Sequence, residues 1–170
     1  RIVSALRACF AIAPDAEWTI EANPDDLTPS YCQALRQLGF NRLSIGIQSF
    51  QDRELRIINR RHNASEAERA VKVARESGFD NISIDLIFAL PEQTVSTWQE
   101  TIERAVALHP EHISAYSLTY EEGTPLTRLW QKGKIAKQQE SFEIEAYRYL
   151  SSVLRDMGYE HYEVSNYALP

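Results

Sequence analysis

Short β-prone runs recur along the chain, and in the clearest of them polar and apolar residues alternate with the two-residue period of a β-strand. The runs cover residues 18–22, 43–47, 82–86 and 113–118. A further strand is predicted over residues 159–165. Between the runs, apolar residues recur every three or four positions, which predicts amphipathic helices. The chain therefore alternates strands with helices.

Residues that commonly cap helix N-termini precede several of the predicted helices. They are Thr28, Ser49, Asn63 and Thr94. Pro29 follows Thr28 at the first helical position, and Glu66 follows Asn63 at the spacing of a capping box. The last long helix is expected to bury an apolar stripe of Phe142, Ala146, Tyr149, Val153 and Met157.

Strands separated by one or two helices are typical of βαβ units, whose right-handed crossovers build a parallel sheet. We therefore expect an α/β fold with a parallel sheet covered by helices, and a single domain over residues 1–170. The sheet belongs either to an open doubly wound fold or to part of a (β/α) barrel. The GxGxxG motif follows none of the strands, which disfavours a dinucleotide-binding fold.

One face of the predicted sheet is polar, although buried parallel strands usually carry apolar residues on both faces. The polar-face positions are Thr19, Glu21, Asn23, Ser44, Gly46, Gln48, Ser83 and Asp85. Because a filled eight-stranded barrel has an apolar interior, this pattern favours a wider or incomplete barrel that holds a ligand. Glu21, Gln48 and Asp85 fall near the carboxyl ends of their strands, where such barrels place their binding residues. Two carboxylates and an amide suit recognition of hydroxyl and ammonium groups, and no nucleophile with a neighbouring base stands out.

Composition and charge argue against several other classes of protein. The net charge is −6 without a basic run, so nucleic acid binding is not expected. No apolar stretch reaches the roughly 18 residues that a membrane span needs. Cys9 and Cys32 form no disulfide framework and are expected to be small buried residues of a cytoplasmic protein. The histidines have no metal-ligand spacing.

Four short motifs occur in a fixed order along the chain. Residues 19–24 read TIEANP, residues 42–50 read RLSIGIQSF, residues 85–94 read DLIFALPEQT and residues 161–168 read HYEVSNYA. Together they resemble the radical S-adenosylmethionine (SAM) proteins related to oxygen-independent coproporphyrinogen III oxidase. The resemblance covers nearly the whole chain, and the ordered set is far more specific than any single motif.

Two branches of this family carry similar motifs, and each implies a function. The forms EANP, IQSF and HYEVSNYA look like the heme chaperone branch, whose members bind heme and pass it to an apo-protein. The alternative is the oxidase branch, which oxidatively decarboxylates coproporphyrinogen III to protoporphyrinogen IX. A barrel enzyme without a cluster is a remote third interpretation.

The resemblance also implies an open, three-quarter (β/α) barrel, of which this chain would be the C-terminal portion, truncated at both ends. Positions that match the family's SAM contacts are Glu21, Gln48, Arg60, Asp85 and Thr119. The family's CxxxCxxC loop, which binds a [4Fe–4S] cluster, has no match here, so its cysteines are expected to lie outside this chain. The implied partners are SAM, heme or porphyrin, and a heme-accepting apo-protein. The chain by itself is expected to be inactive.

Two departures from the family pattern concern single residues. Cys9 and Cys32 cannot replace the thiolates of the cluster loop, because their spacing is wrong. Ala89 stands where the family usually has glycine. We expect this second difference to be harmless, because alanine is accepted wherever the backbone φ angle is negative.

Overall fold

Six strands form one mixed sheet in the computed structural model, which describes residues 1–170. The strands are β1 (Thr19–Ala22), β2 (Arg42–Gln48), β3 (Asn81–Phe88), β4 (His112–Ser117), β5 (Glu160–Glu163) and β6 (Asn166–Ala168). Their order across the sheet is β1-β2-β3-β4-β6-β5. The first four strands run parallel, and β6 pairs antiparallel with both β4 and β5. The sheet is open at both edges, which confirms an α/β fold of the partial-barrel type.

Helices connect the parallel strands and cover one face of the sheet. They are α1 (Ile2–Cys9), α2 (Pro29–Leu38), α3 (Asp52–Ile57), α4 (Ala64–Glu76), α5 (Val95–Ala107), α6 (Pro125–Gln131) and α7 (Glu140–Asp156), with a short 3-10 helix at Pro24–Asp26. On the covered face lie six fully buried residues of β2 and β3: Leu43, Ile45, Ile47, Ile82, Ile84 and Leu86. Side chains from α2, α4, α5 and α7 complete this core. Burial of each large apolar side chain contributes about 1.5–3 kcal/mol.

Side chains cap three helices as predicted. The Thr28 hydroxyl accepts a hydrogen bond from the Tyr31 amide at the start of α2, with a distance of 3.2 Å. Asn63 and Glu66 form a complete capping box at the start of α4. Thr94 caps α5 through its hydroxyl in the same way. These caps fix where the helices begin relative to the strands that precede them.

Ser49 does not cap α3, contrary to the prediction. Gln51 occupies the N-cap position and makes no side-chain cap. The Ser49 hydroxyl instead donates a 2.6 Å hydrogen bond to the buried carboxylate of Glu54. A charged acceptor makes a stronger hydrogen bond than a neutral one. The Ser49 hydroxyl therefore points to the Glu54 carboxylate and not to the start of α3.

The two cysteines differ in burial. Cys32 is buried in α2, as predicted, whereas Cys9 is exposed. The prediction for Cys9 was wrong because α1 contains no buried residue, so its apolar side chains do not join the core. Arg7 connects α1 to the end of α2 through a 2.8 Å hydrogen bond to the Leu38 carbonyl.

The buried stripe of α7 differs from the predicted one. Its buried members are Ala146, Leu150 and Leu154, whereas Met157 is 52% exposed because it is already the C-cap residue. The other predicted members are partly buried: Phe142, Tyr149 and Val153. The fully buried Trp98 packs at this stripe, and its indole NH donates to the Ala146 carbonyl at 3.0 Å. The small side chain of Ala146 leaves room for this contact.

The predicted final strand over residues 159–165 is a β-hairpin instead. The Glu163 carboxylate accepts hydrogen bonds from the Ser165 amide and the Asn166 side chain, both at 2.6 Å. These bonds hold the turn, and the chain reverses to pair antiparallel with β4. The reversal buries Tyr167 in the core. The sheet is therefore mostly parallel rather than wholly parallel.

The backbone of Ala89 is left-handed, which makes the expectation of a negative φ wrong. Its φ angle is +60°, and the residue is 3% exposed directly after β3. An L-residue in this conformation costs roughly 1–2 kcal/mol, whereas glycine adopts it freely. The alanine at this motif position therefore carries strain that a glycine would not.

We predict that Ala89→Gly changes the free energy of unfolding by less than about 1 kcal/mol, because relief of strain offsets the loss of a buried methyl group. The matched control is Ala70→Gly in the middle of α4, where the alanine is also buried. It has no strain to relieve and should cost about 2 kcal/mol. Urea unfolding measures both values, and equal losses would contradict this explanation.

Candidate ligand site at the carboxyl edge of the sheet

The polar face of the parallel strands lines a cleft of about 620 Å³, which we call the first lobe. The strand register aligns its polar residues, since Glu21 pairs with Ser44 and Ser44 pairs with Ser83. Asp85 is likewise in register with Ser114 of β4. Small serines beside two carboxylates leave open space above the sheet, as the sequence predicted for this face.

Asp85 is the most deeply placed carboxylate of the first lobe. The Ser44 hydroxyl donates to both of its oxygens, at 3.0 and 3.2 Å. Burial raises the pKa of the Asp85 carboxyl above its ordinary value, and the nearby charge of Glu21 acts in the same direction. Hydrogen bonds from Ser44 and Ser114 and the charge of Arg42 oppose this rise. No cation forms an ion pair with Asp85, so its oxygens can accept donors from a ligand.

Gln48 is placed by an irregularity at the end of β2. The pairing of β2 with β3 shifts register between Ile45 and Gln48, and the Gln48 backbone is left-handed with a φ of +71°. Gly46 makes this packing possible. A Cβ atom there would lie 2.8 Å from Gln48 Nε2 and 2.9 Å from Arg60 Nη2, closer than real side chains approach. A larger residue at position 46 would therefore displace the ends of the Gln48 and Arg60 side chains from the positions seen here.

Arg60 ties the ends of the first two strands together. Its Nη2 donates to the Asn23 side-chain oxygen at 2.8 Å and to the Gly46 carbonyl. Burial lowers the pKa of the Arg60 guanidinium, and the charge of Asp25 opposes this effect. The neighbouring Arg61 is bound separately, by a 2.8 Å ion pair to Asp25. These two hydrogen bonds hold the Arg60 side chain in place at the carboxyl ends of β1 and β2.

A second lobe of about 770 Å³ adjoins the first. The two lobes share the side chains of Gln48, Ile87, Leu118 and Thr119. Thr119 follows β4 and is exposed. Of the residues predicted to contact SAM, Glu21 and Asp85 line the first lobe, Arg60 the second, and Gln48 and Thr119 both. The fold therefore brings all five predicted residues to one two-lobed cleft.

Several residues of the first lobe escaped the sequence prediction, and His112 and Tyr162 are two of them. His112 Nδ1 lies 2.8 Å from the Ser83 hydroxyl, and its Nε2 lies 2.8 Å from the Tyr162 hydroxyl. Burial lowers the pKa of His112, and the charge of Arg42 acts in the same direction. Alternation along β4 signals that His112 shares the polar face with Ser114. No such signal existed for Tyr162, because the sequence analysis predicted one strand over residues 159–165 and not a hairpin.

The contact between Ser83 and His112 does not make a nucleophilic site. Ser83 is fully buried, so its oxygen cannot reach a substrate carbonyl. The polar groups of the first lobe are carboxylates, an amide, hydroxyls, the Arg42 guanidinium and the His112 imidazole, which can hold polar ligands through hydrogen bonds. The geometry supports recognition of a small polar molecule rather than nucleophilic catalysis through Ser83.

An open, mostly parallel sheet whose polar face lines a cleft that reaches the carboxyl ends of the strands is the architecture of a partial (β/α) barrel. The family model described as the radical SAM superfamily matches residues 1–105. The chain belongs to the radical SAM superfamily.

Curated relatives and solved structures agree with this assignment. The chain is similar to the heme chaperone HemW of Synechocystis sp., with 37% identity over 170 residues, all of this chain and 41% of that protein. HemW of Bacillus subtilis is 40% identical over 153 residues, covering 90% of this chain and 40% of the relative. The solved structure of coproporphyrinogen III oxidase (HemN) from Escherichia coli, a radical SAM enzyme, has a TM-score of 0.86 and 28% identity. That match covers 99% of this chain and 39% of HemN, so this chain spans about two fifths of the proteins that it matches.

Membership of the superfamily implies SAM and a [4Fe–4S] cluster as cofactors. The side chains of this chain fit SAM, because two carboxylates without a cationic partner, an amide and a half-buried arginine line one two-lobed cleft. They do not fit the cluster. Cys9 is exposed, Cys32 is buried in another helix, and no three histidine, cysteine or acidic side chains converge on a possible metal position. No helix combines the length and hydrophobicity of a membrane span; α7 is the longest at 17 residues and is amphipathic.

The raised pKa of Asp85 gives a testable pH dependence. The folded chain binds the Asp85 proton more tightly than the unfolded chain does. The stability from this group is therefore complete below about pH 4, the ordinary aspartate pKa, and is lost as the pH rises. Without ligand, we expect Asp85→Asn to raise the free energy of unfolding at pH 7 by about 1 kcal/mol, a usual gain when a functional charge is removed. Urea unfolding should show this gain shrinking toward pH 4, and a less stable variant at pH 7 would contradict the argument.

Proposed function

We propose that this chain is the SAM-binding part of a radical SAM protein that binds heme and transfers it to an acceptor apo-protein. The observation that carries this proposal is the 37% identity to the heme chaperone HemW of Synechocystis sp. over the full chain. A second HemW relative at 40% identity supports it. The motifs of the cleft, in the forms EANP and IQSF, agree with the chaperone branch.

The cleft offers a partner for each polar part of SAM. Glu21 and Asp85 provide acceptor oxygens for the ribose hydroxyls and the ammonium group, and Gln48 provides an amide that both donates and accepts. Arg60 supplies positive charge toward the carboxylate end, and Thr119 adds a hydroxyl at the junction of the lobes. These are proposed contacts, supported by the placement of all five residues around one cleft.

SAM bound with a reduced cluster supplies one-electron, radical chemistry, and the barrel only places the cofactor. The cluster cysteines are proposed to lie on a part of the protein outside this chain, since no set of thiolates occurs within it. We propose that residues 1–170 form the C-terminal portion of one barrel domain. The two unpaired cysteines favour action in the cytoplasm, where thiols remain reduced.

A second candidate function is oxidative decarboxylation of coproporphyrinogen III. The specific observation that favours it is the TM-score of 0.86 to the coproporphyrinogen III oxidase of Escherichia coli. The lower identity of 28%, against 37% and 40% for the chaperones, makes it the weaker candidate. A cluster-free hydrolase is weaker still, because the Ser83 hydroxyl is buried.

The test uses the longer protein that contains this chain, purified with its cluster reconstituted. We expect hemin titration to give a saturable change in the Soret band at one heme per protein, and bound heme to pass to an added apo-cytochrome. Incubation with coproporphyrinogen III and SAM should release no protoporphyrinogen IX. Decarboxylated product without heme uptake would establish the oxidase instead, and loss of both activities would remove both candidates.

A further inference from the structure

The second lobe has a lining that the proposed SAM contacts leave free. Four of its side chains are shared with the first lobe, and Arg60 is already bound to Asn23 and Gly46. We call the remaining part the outer half of the second lobe. Its main wall residues are Arg56, Ile57, Ile58, Leu126 and Leu129. Helix α3 and the residue after it form one wall, and α6 forms the other.

Arg56 is the unpaired cation of this wall. It is exposed and forms neither an ion pair nor a side-chain hydrogen bond with the rest of the chain. The other arginines nearby are engaged, since Arg53 pairs with Glu92, Arg61 pairs with Asp25, and Arg60 is hydrogen-bonded. A free guanidinium at the edge of an apolar wall suits a ligand with a carboxylate edge, which arginine binds through two parallel hydrogen bonds.

The opposite wall is apolar and accessible. Leu129 is 39% exposed although it is a large aliphatic residue, and Leu126 and Pro125 lie beside it on α6. Glu121 is the one acidic side chain on the lining, at the end nearer the loop. The whole second lobe, of which the outer half is one part, has a volume of about 770 Å³, within the range of pockets that hold drug-sized molecules. A flat apolar ring with an anionic edge matches this combination.

We infer that the outer half of the second lobe binds the face of a tetrapyrrole between α3 and α6, with Arg56 holding a propionate carboxylate. This inference rests on the proposed function, which supplies the ligand class. Ile57, Ile58 and Leu129 provide the apolar contact with the ring.

The lining holds the ring and its propionate but does not bind the iron. No histidine, cysteine, methionine, tyrosine or lysine lines the second lobe. The nearby His62 is buried, and its Nε2 lies 3.0 Å from the Ile47 carbonyl oxygen. It does not line the second lobe. Metal-free protoporphyrin IX should therefore bind this chain as well as hemin does, within about threefold.

The test is fluorescence anisotropy of protoporphyrin IX titrated with the 170-residue chain. Arg56→Ala should weaken binding on the order of tenfold, equivalent to about 1.4 kcal/mol. The matched control is Arg53→Ala, which removes the same charge from the same helix at a residue outside the lobe. It should change the affinity less than twofold, because Arg53 pairs with Glu92 and does not face the ring.

A second pair of variants tests the apolar wall independently of Arg56. Leu129→Asp should weaken porphyrin binding at least tenfold, and the partial exposure of Leu129 lets the variant fold. The control, Val164→Asp, alters an apolar residue that is 72% exposed in the β5–β6 turn, and it should leave the affinity unchanged. Circular dichroism checks that all variants keep the helical content of the parent chain.

Three results would overturn the inference. Equal weakening by Arg53→Ala and Arg56→Ala would show general charge attraction, and hemin binding at least tenfold tighter than protoporphyrin IX would show an iron ligand. Absence of saturable porphyrin binding to this chain would show that the ring binds elsewhere. None of these results decides the proposed function, because heme uptake by the longer protein is measured separately.

Discussion

The in-register pairing of the parallel strands fixes both faces of the sheet at the same time. Because side chains alternate along a strand, the register that buries Ile45 and Ile84 on one face also sets Ser44 beside Asp85 on the other. A slip of one residue would place carboxylates in the core and leucines in the cleft. Packing of the apolar core therefore also fixes the positions of the polar side chains in the cleft.

The loops that extend from this sheet are held by a buried network around Glu54. Its carboxylate accepts hydrogen bonds from Ser49 at 2.6 Å, Gln93 at 3.0 Å and Thr97 at 2.8 Å. These donors belong to the loop after β2 and to the start of α5. The network thus joins the two segments that follow the strands of Gln48 and Asp85. Removal of one donor would leave a buried charge partly unsatisfied, which costs several times more than an ordinary surface contact.

Much of the fold and the cleft could be predicted from local signals, because alternation and capping act within a few residues. The polar face, the starts of α2, α4 and α5, and the presence of Glu21 and Asp85 at one edge all belong to this group. Long-range geometry was not predictable in the same way. The hairpin depends on the hydrogen bonds that the Glu163 carboxylate accepts from Ser165 and Asn166. The exposure of Cys9 depends on whether another element covers α1.

The left-handed backbone at Ala89 shows a further limit of prediction from sequence. An alanine does not signal a positive φ angle, and the glycine that the family usually has at this position was the one available indication of it. Arg60 is the opposite case, since its placement as a SAM contact came from resemblance alone. The structure shows a guanidinium fixed by Asn23 and Gly46 at the end of two strands, and its contact with SAM stays a prediction.

The central claim is that the carboxyl edge of the parallel strands is the SAM site. The most direct test is a titration of the isotopically labelled chain with SAM, followed by NMR at the backbone amides. The account predicts weak, saturable binding, with the largest shift changes at Glu21, Gln48, Asp85 and Thr119. Shift changes centred instead on the separate pocket between α5 and α7, around Trp98 and Tyr149, would contradict it.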